Sequence, residues 1–141
     1  MCSLSYTSVD VIAKKVASLG PGSLMGKMDI KQAYRMVPVH PDDRHLLGMR
    51  WQGAVYVDKV LPFGLCSAPL IFTAVADALQ WMMEQKGATF VDHYLVDFIT
   101  VGKPGSEECA SNLIIMHETC NNSGTPVEED KSEGLATVLP F

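Results

Sequence analysis

The sequence predicts an α+β fold: an antiparallel sheet backed by helices, with one β-hairpin inserted. Three observations carry this reading. The 141 residues suffice for one domain and are too few for two. Apolar residues recur at helical spacing in three stretches and as short runs of strand formers in the others. Glycine and proline clusters punctuate these stretches, with no internal repeat or linker between them.

Val9, Ile12, Ala13, Val16 and Leu19 fall on one helical face, with Thr7 and Asp10 set as a capping box. Gly20-Pro21-Gly22 ends that helix. Residues 24–30 are short and apolar enough for a buried strand, with Asp29 at its end. Residues 37–43 contain Pro38 and Pro41 and read as loop. Residues 45–51 and 54–60 read as two strands around Gln52-Gly53, a two-residue hairpin turn, and Val55, Tyr56 and Val57 are strong strand formers. Residues 67–86 are the longest helix candidate; Pro69 is tolerated in its first turn, and Ile71, Val75, Leu79 and Met82 mark the buried stripe. Residues 89–95 and 98–102 are apolar runs with Val96-Asp97 as a tight turn. The next helix starts near Ser106, where Glu107 and Glu108 suit the positive end of the dipole. Cys109, Leu113, Met116 and Cys120 line one face of it, and residues 121–124 close it. A solvated charged run at 128–133 precedes a last strand at 135–139. From Leu24 onward, leaving out the inserted hairpin, the order is β-α-β-β-α-β. That is a split β-α-β, ferredoxin-like sheet backed by two helices.

A hydrophobic content of 48% with 19% charged residues describes a folding globular chain. Eleven Lys and Arg against sixteen Asp and Glu leave a net charge of −5, so the chain does not hold nucleic acid by charge alone. Any nucleic acid must be met at a local site. Cys2, Cys66, Cys109 and Cys120 have no metal-ligand spacing and read as buried reduced thiols of an intracellular chain. His40, His45, His93 and His117 are dispersed and read as structural or surface residues. The N-terminus has neither a basic nor a long apolar region. The longest uncharged run, 60–76, is broken by Pro62, Gly64 and Pro69, so no membrane partner is expected.

In a sheet of this order the first strand and the strand pair lie side by side, so Asp29 and the Val96-Asp97 turn meet at one edge. Two carboxylates aimed at solvent from adjacent strands suit Mg²⁺, which takes hard oxygen ligands and leaves the rest of its octahedron to water and substrate phosphates. The plain alternative is that Asp29 caps a turn and Asp97 is a hairpin residue, since Asp is common at both.

Four stretches add a family resemblance. KMDIKQAY at 27–34 resembles motif A of reverse transcriptases, and LPFGLCSAP at 61–69, followed by Ile71 and Phe72, resembles motif B. YLVD at 94–97 stands where the family has Tyr-x-Asp-Asp, motif C, and Lys131 within EEDKSEG at 128–134 resembles the lysine of motif D. Order and separation also agree over nearly the whole chain. The likeness is to retrotransposon polymerases of the gypsy and DIRS type, whose motif B also reads Pro-Phe-Gly-Leu.

The resemblance implies a polymerase palm and a role for each matched residue. Asp29 would bind both of two Mg²⁺ ions, Asp97 would bind one, and Ile30 would offer a backbone carbonyl. Tyr34 would stack under the incoming sugar as the gate against a 2′-hydroxyl; its plain reading is a half-buried aromatic. Phe63, Gly64 and Pro69 would shape the nucleotide pocket and the approach of the template, alongside ordinary turn and helix-start chemistry. Lys131 would sit near the triphosphate, or would simply be solvated. The implied partners are an RNA or DNA template-primer and a deoxynucleoside triphosphate.

One departure matters as much as the match. The family has a metal-binding Asp where this chain has Val96, and valine has no lone pair to give. Asp92 cannot replace it, lying four residues away, roughly 13 Å along a strand at about 3.3 Å per residue. Losing about 3–4 kcal/mol of metal stabilisation slows chemistry by roughly 10²–10³. Mg²⁺ binding is therefore expected to be weakened and the chain inactive. Residues 1–141 are expected to be a partial reverse transcriptase domain, a palm with a remnant of fingers and without thumb or RNase H domain. Apolar surface left uncovered would favour self-association. Two rival readings remain. One is a domesticated palm acting as an interaction module without catalysis. The other is an unrelated ferredoxin-like nucleic-acid-binding domain, which needs exposed sheet aromatics and a basic face that the net −5 disfavours.

Overall fold

Along residues 24–29, Met25, Lys27 and Asp29 alternate with Gly26 and Met28, and the two-residue period of a strand sends the two sets to opposite faces. The computed structural model describes residues 9–137 and makes this segment, β1 (Leu24–Asp29), an inner strand of the main sheet. The elements are α1 (Val9–Leu19), β1, the hairpin β2 (Gly48–Trp51) and β3 (Ala54–Val57), and α2 (Ala68–Gln85). Then follow β4 (Val91–Tyr94), β5 (Asp97–Gly102), α3 (Glu108–Ser123) and β6 (Glu133–Ala136). The four-stranded sheet runs β4-β5-β1-β6, with every pairing antiparallel. This is the expected α+β sheet backed by helices, with the inserted hairpin outside it.

The Met28 face carries the larger core. Met28 and Phe98 pack with Phe72, Ala76, Leu79 and Met83 of α2 and with Met116 and Cys120 of α3. The other face is covered by α1, whose Ile12, Val16 and Leu19 meet Met25, Ile99 and Val101. β5 is therefore buried from Phe98 to Gly102. Two glycines allow α3 to come close to the sheet. A Cβ at Gly102 would lie 2.5 Å from the backbone nitrogen of Cys109, and one at Gly26 would meet the Leu113 side chain at 2.7 Å.

Several sequence expectations need correction. Residues 45–47 do not extend β2; they belong to a 3₁₀ helix, Pro41–Leu47, started by Pro41 and by the amide of Asp42 donating to His40 Nδ1. β3 stops at Val57, and Val60 makes only an isolated bridge to Pro38. The β4–β5 turn is Leu95-Val96, one residue earlier than expected, because Tyr94 pairs with Asp97. Leu95 takes the left-handed backbone conformation, with φ 54°. The last strand is Glu133–Ala136, beginning two residues early, and the expected Val138 and Leu139 lie outside the described residues, as do Thr7 of the capping box and Cys2.

The inner face of α3 is less apolar than its sequence suggests. Asn112 and Thr119 are buried on it, and both are satisfied. Asn112 bonds with Thr89, Thr100 and the Phe90 carbonyl, and the Thr119 hydroxyl donates to the Ile115 carbonyl. A buried amide is tolerated when its hydrogen bonds are met. Cys109 and Cys120 are buried as expected, with burial pushing the Cys120 thiol up to about 11, but Cys66 is exposed. His93 is buried and its Nε2 meets Asp77 of α2 at 2.9 Å, a structural role.

The Gln52-Gly53 turn forms as expected, both residues having positive φ, as a type I′ turn requires. All eight residues of β2 and β3 are exposed, among them Met49, Trp51, Val55 and Tyr56. Among the described residues, no helix is long and apolar enough to cross a membrane.

Candidate functional site

Asp29 ends β1 and Asp97 begins β5, and the two are direct partners in the antiparallel register. Paired residues share a face, so both carboxylates stand on the face opposite Met28 and Phe98. The α2 and α3 helices pack behind them. This is the shared edge that the sequence predicts.

A network of backbone bonds fixes the edge. The Ile30 amide donates to the Val96 carbonyl at 3.0 Å, which ties the strand end to the turn. Ile30 bridges Val127, the Lys31 amide donates to the Pro126 carbonyl, and the Glu128 amide donates to the Asp29 carbonyl at 2.9 Å. The Asp29 amide donates to Ser132 Oγ at 3.4 Å. The segment from Pro126 to Ser132 thereby closes one side of a cleft of about 190 Å³. Asp29, Ile30, Tyr34, Phe63, Val96 and Lys131 all line it, together with residues 31–33 and Glu128.

Tyr34 reaches the cleft because Gln32 turns the chain with φ 50° into a short 3₁₀ helix, Ala33–Met36. Its ring stands edge-on to Phe63 at 5.2 Å and to Phe72 at 5.6 Å. Phe72 is fully buried, whereas Phe63 is 71% exposed and free to contact a ligand. Gly64 and Pro69 are not brought to the cleft. Gly64 (φ 87°) serves the turn before α2, and Pro69 lies in the first turn of that helix. Asp97 lies just outside the lining, its side chain 41% exposed.

Charge at the edge is arranged in pairs. Lys27 Nζ is 3.1 Å from Asp97, Lys131 Nζ is 3.8 Å from Asp29, and Lys31 Nζ is 3.5 Å from Glu128. Burial, and after it the Asp97 charge, push the Asp29 carboxyl above its ordinary value, against the pull of Lys131 and Lys27, while Glu128 adds to the rise. Lys27 and Glu128 are the residues that sequence reasoning missed. Lys27 was findable, since two positions before Asp29 means the same face. Glu128 was not, because it is brought in by long-range backbone pairing of residues 29–31 with 126–128.

The donor set can be tested against a pair of Mg²⁺ ions. Asp29 and Asp97 offer hard oxygen ligands, while Val96, at the turn between them, offers only hydrocarbon. Among the described residues, no three His, Cys, Asp or Glu side chains are grouped so as to hold a metal ion. The side chains present do not fit the pair.

A four-stranded antiparallel sheet, two helices behind it and an acidic pair at the hairpin end make an α+β, split β-α-β architecture, the fold expected of a polymerase palm. A family model described as reverse transcriptase (RNA-dependent DNA polymerase) matches residues 3–141, and the chain belongs to that family. The Pro-Pol polyprotein of Feline foamy virus is 27% identical over 127 residues, covering 89% of this chain and 10% of that protein. The transposon Tf2-3 polyprotein of Schizosaccharomyces pombe is 26% identical over 121 residues, covering 78% and 9%. The chain thus spans about a tenth of the length of these curated relatives. Among solved structures, a foamy viral protease-reverse transcriptase in complex with dsDNA superposes with TM-score 0.80 at 20% identity, over 100% of this chain and 28% of that one. Native Prototype Foamy Virus protease-reverse transcriptase gives 0.68 at 24% identity, over 79% and 14%.

Proposed function

We propose that this chain is the palm of a retrotransposon reverse transcriptase, of gypsy or DIRS type by its motif B, that has lost catalysis at Val96. The observation that carries the reading is that Val96 lines the same cleft as Asp29, where a metal-binding carboxylate belongs. In the family's reaction, RNA-directed nucleotidyl transfer, a bound pair of Mg²⁺ ions would supply activation of the primer 3′-hydroxyl and charge neutralisation of the pyrophosphate. Here Asp29 and Asp97 remain as donors, and Mg²⁺ binding is weakened by the missing third. Tyr34 and Phe63 form an aromatic wall for the sugar and base of a deoxynucleoside triphosphate, and Lys131 stands where its phosphates would lie. Gly64 and Pro69 act at one remove, by setting the turn and helix start that hold Phe63. The template-primer is the partner of the whole polymerase, of which these residues hold the centre.

Primer extension tests this directly. With a primed RNA template, the four deoxynucleoside triphosphates and Mg²⁺, the 141-residue chain is expected to give no product above a protein-free control. Robust extension would overturn the inactive reading.

A second reading, an interaction module, is favoured by the wholly exposed β2–β3 hairpin with Met49, Trp51 and Tyr56. An isolated two-stranded hairpin is marginal in water, so the chain by itself is expected to self-associate through this surface. Sedimentation showing a monomer at every concentration would count against it.

A further inference from the structure

We infer that Lys27 and Lys131 are built-in counter-ions of the Asp29–Asp97 pair, so that this edge of the sheet folds and stands without a divalent cation. The starting point is a conflict in the register. Asp29 and Asp97 are directly opposite in an antiparallel pair, and like charges so placed destabilise a sheet. A bound cation is one remedy. The chain carries another.

Lys27 precedes Asp29 by two residues and so shares its face. It pairs with Ile99, which puts Asp97 on its diagonal, within reach of a long side chain. Its ammonium closes on Asp97 at 3.1 Å with the lysine side chain only 22% exposed. Lys131 arrives from the opposite side, on the segment before β6, and approaches Asp29 at 3.8 Å. The two ammonium groups balance the two carboxylates, and the neighbouring Lys31–Glu128 pair is balanced within itself. A divalent ion that took these oxygens would have to displace an ammonium from each. Lys27 is the stronger of the two counter-ions, because Lys131 is 71% exposed and solvent screens it.

This concerns what holds the edge together, and it stands whether or not the chain extends a primer. The test is thermal unfolding of the 141-residue chain at constant ionic strength, in Mg²⁺ and in EDTA. The natural chain is expected to melt at the same temperature in both, within about 1 °C. Lys27→Met is expected to melt about 2–4 °C lower in EDTA, and to regain part of the loss in Mg²⁺. Lys27→Arg, which keeps the charge, should behave as the natural chain. Adding Asp97→Asn to Lys27→Met should restore the midpoint in EDTA, which a purely packing role for Lys27 would not. EDTA destabilising the natural chain would overturn the inference. So would a Lys27→Met loss that neither Mg²⁺ nor Asp97→Asn relieves. Should Lys27→Met fail to fold, the natural chain and Lys27→Arg, each in Mg²⁺ and EDTA, decide the question.

Discussion

Val96→Asp is expected to raise primer extension by roughly 10²–10³-fold when residues 3–141 replace the matching segment of a foamy virus reverse transcriptase. The figure is the rate equivalent of the about 3–4 kcal/mol of metal stabilisation that one carboxylate ligand restores. In the chimaera the rest of the polymerase holds primer and triphosphate, and only the chemistry of the turn changes between the two versions. In the 141-residue chain alone the same substitution should recover Mg²⁺ affinity with little activity. Positioning supplies much of phosphoryl-transfer catalysis, up to several kcal/mol, and a palm by itself does not provide it. Equal template-primer binding by the Val and Asp chimaeras is the control. Equal extension rates would mean that position 96 does not limit the reaction.

Phe72→Ala is expected to cost about 3–5 kcal/mol of stability, measured by denaturant unfolding. Phe72 has no exposed surface, packs with Met28, Ala76 and Phe98, and supports the Tyr34 ring edge-on. Against a total stability of about 5–15 kcal/mol, that loss removes much of the margin. Phe63→Ala is the contrast. Phe63 also touches Tyr34 but is 71% exposed, so its loss should change stability by less than about 0.5 kcal/mol. If both substitutions cost the same, the core does not lie where the buried cluster puts it.

What the sequence made legible was local. Alternation in residues 24–29 and the Gln52-Gly53 turn each announce their structure within a few residues. The α2 helix was legible but its buried face was not: Phe72, Ala76, Leu79 and Met83 are buried, whereas Ile71 is exposed and Val75 and Met82 are half-buried, because apolar residues stand side by side at 71–72, 75–76 and 82–83. The meeting of Asp29 with Asp97 followed from strand order alone, and the register confirms it. What was missed depends on contacts far along the chain or on side chains that bond their own backbone. Residues 45–47 looked like strand, yet the His40 and Arg44 side chains hold a 3₁₀ turn there through the Asp42 amide and the Val39 carbonyl. The hairpin turn moved by one residue because Asp97 is claimed by pairing on both sides, with Tyr94 and with Asp29. Asn112 and Thr119 carry no apolar signal in the sequence, and their partners on neighbouring backbone and side chains account for their place in the core. Gly64 and Pro69 matched a motif, but a motif gives order along the chain and not distance from a cleft.

Calorimetric titration of Mg²⁺ into the natural chain and Val96→Asp tests the proposed loss of a metal ligand at this turn. Binding is expected to be at least about tenfold tighter with Asp, roughly 1.4 kcal/mol, because the new carboxylate joins Asp29 in the same cleft. Equal affinity for the two proteins would contradict it and would move the metal site away from this hairpin.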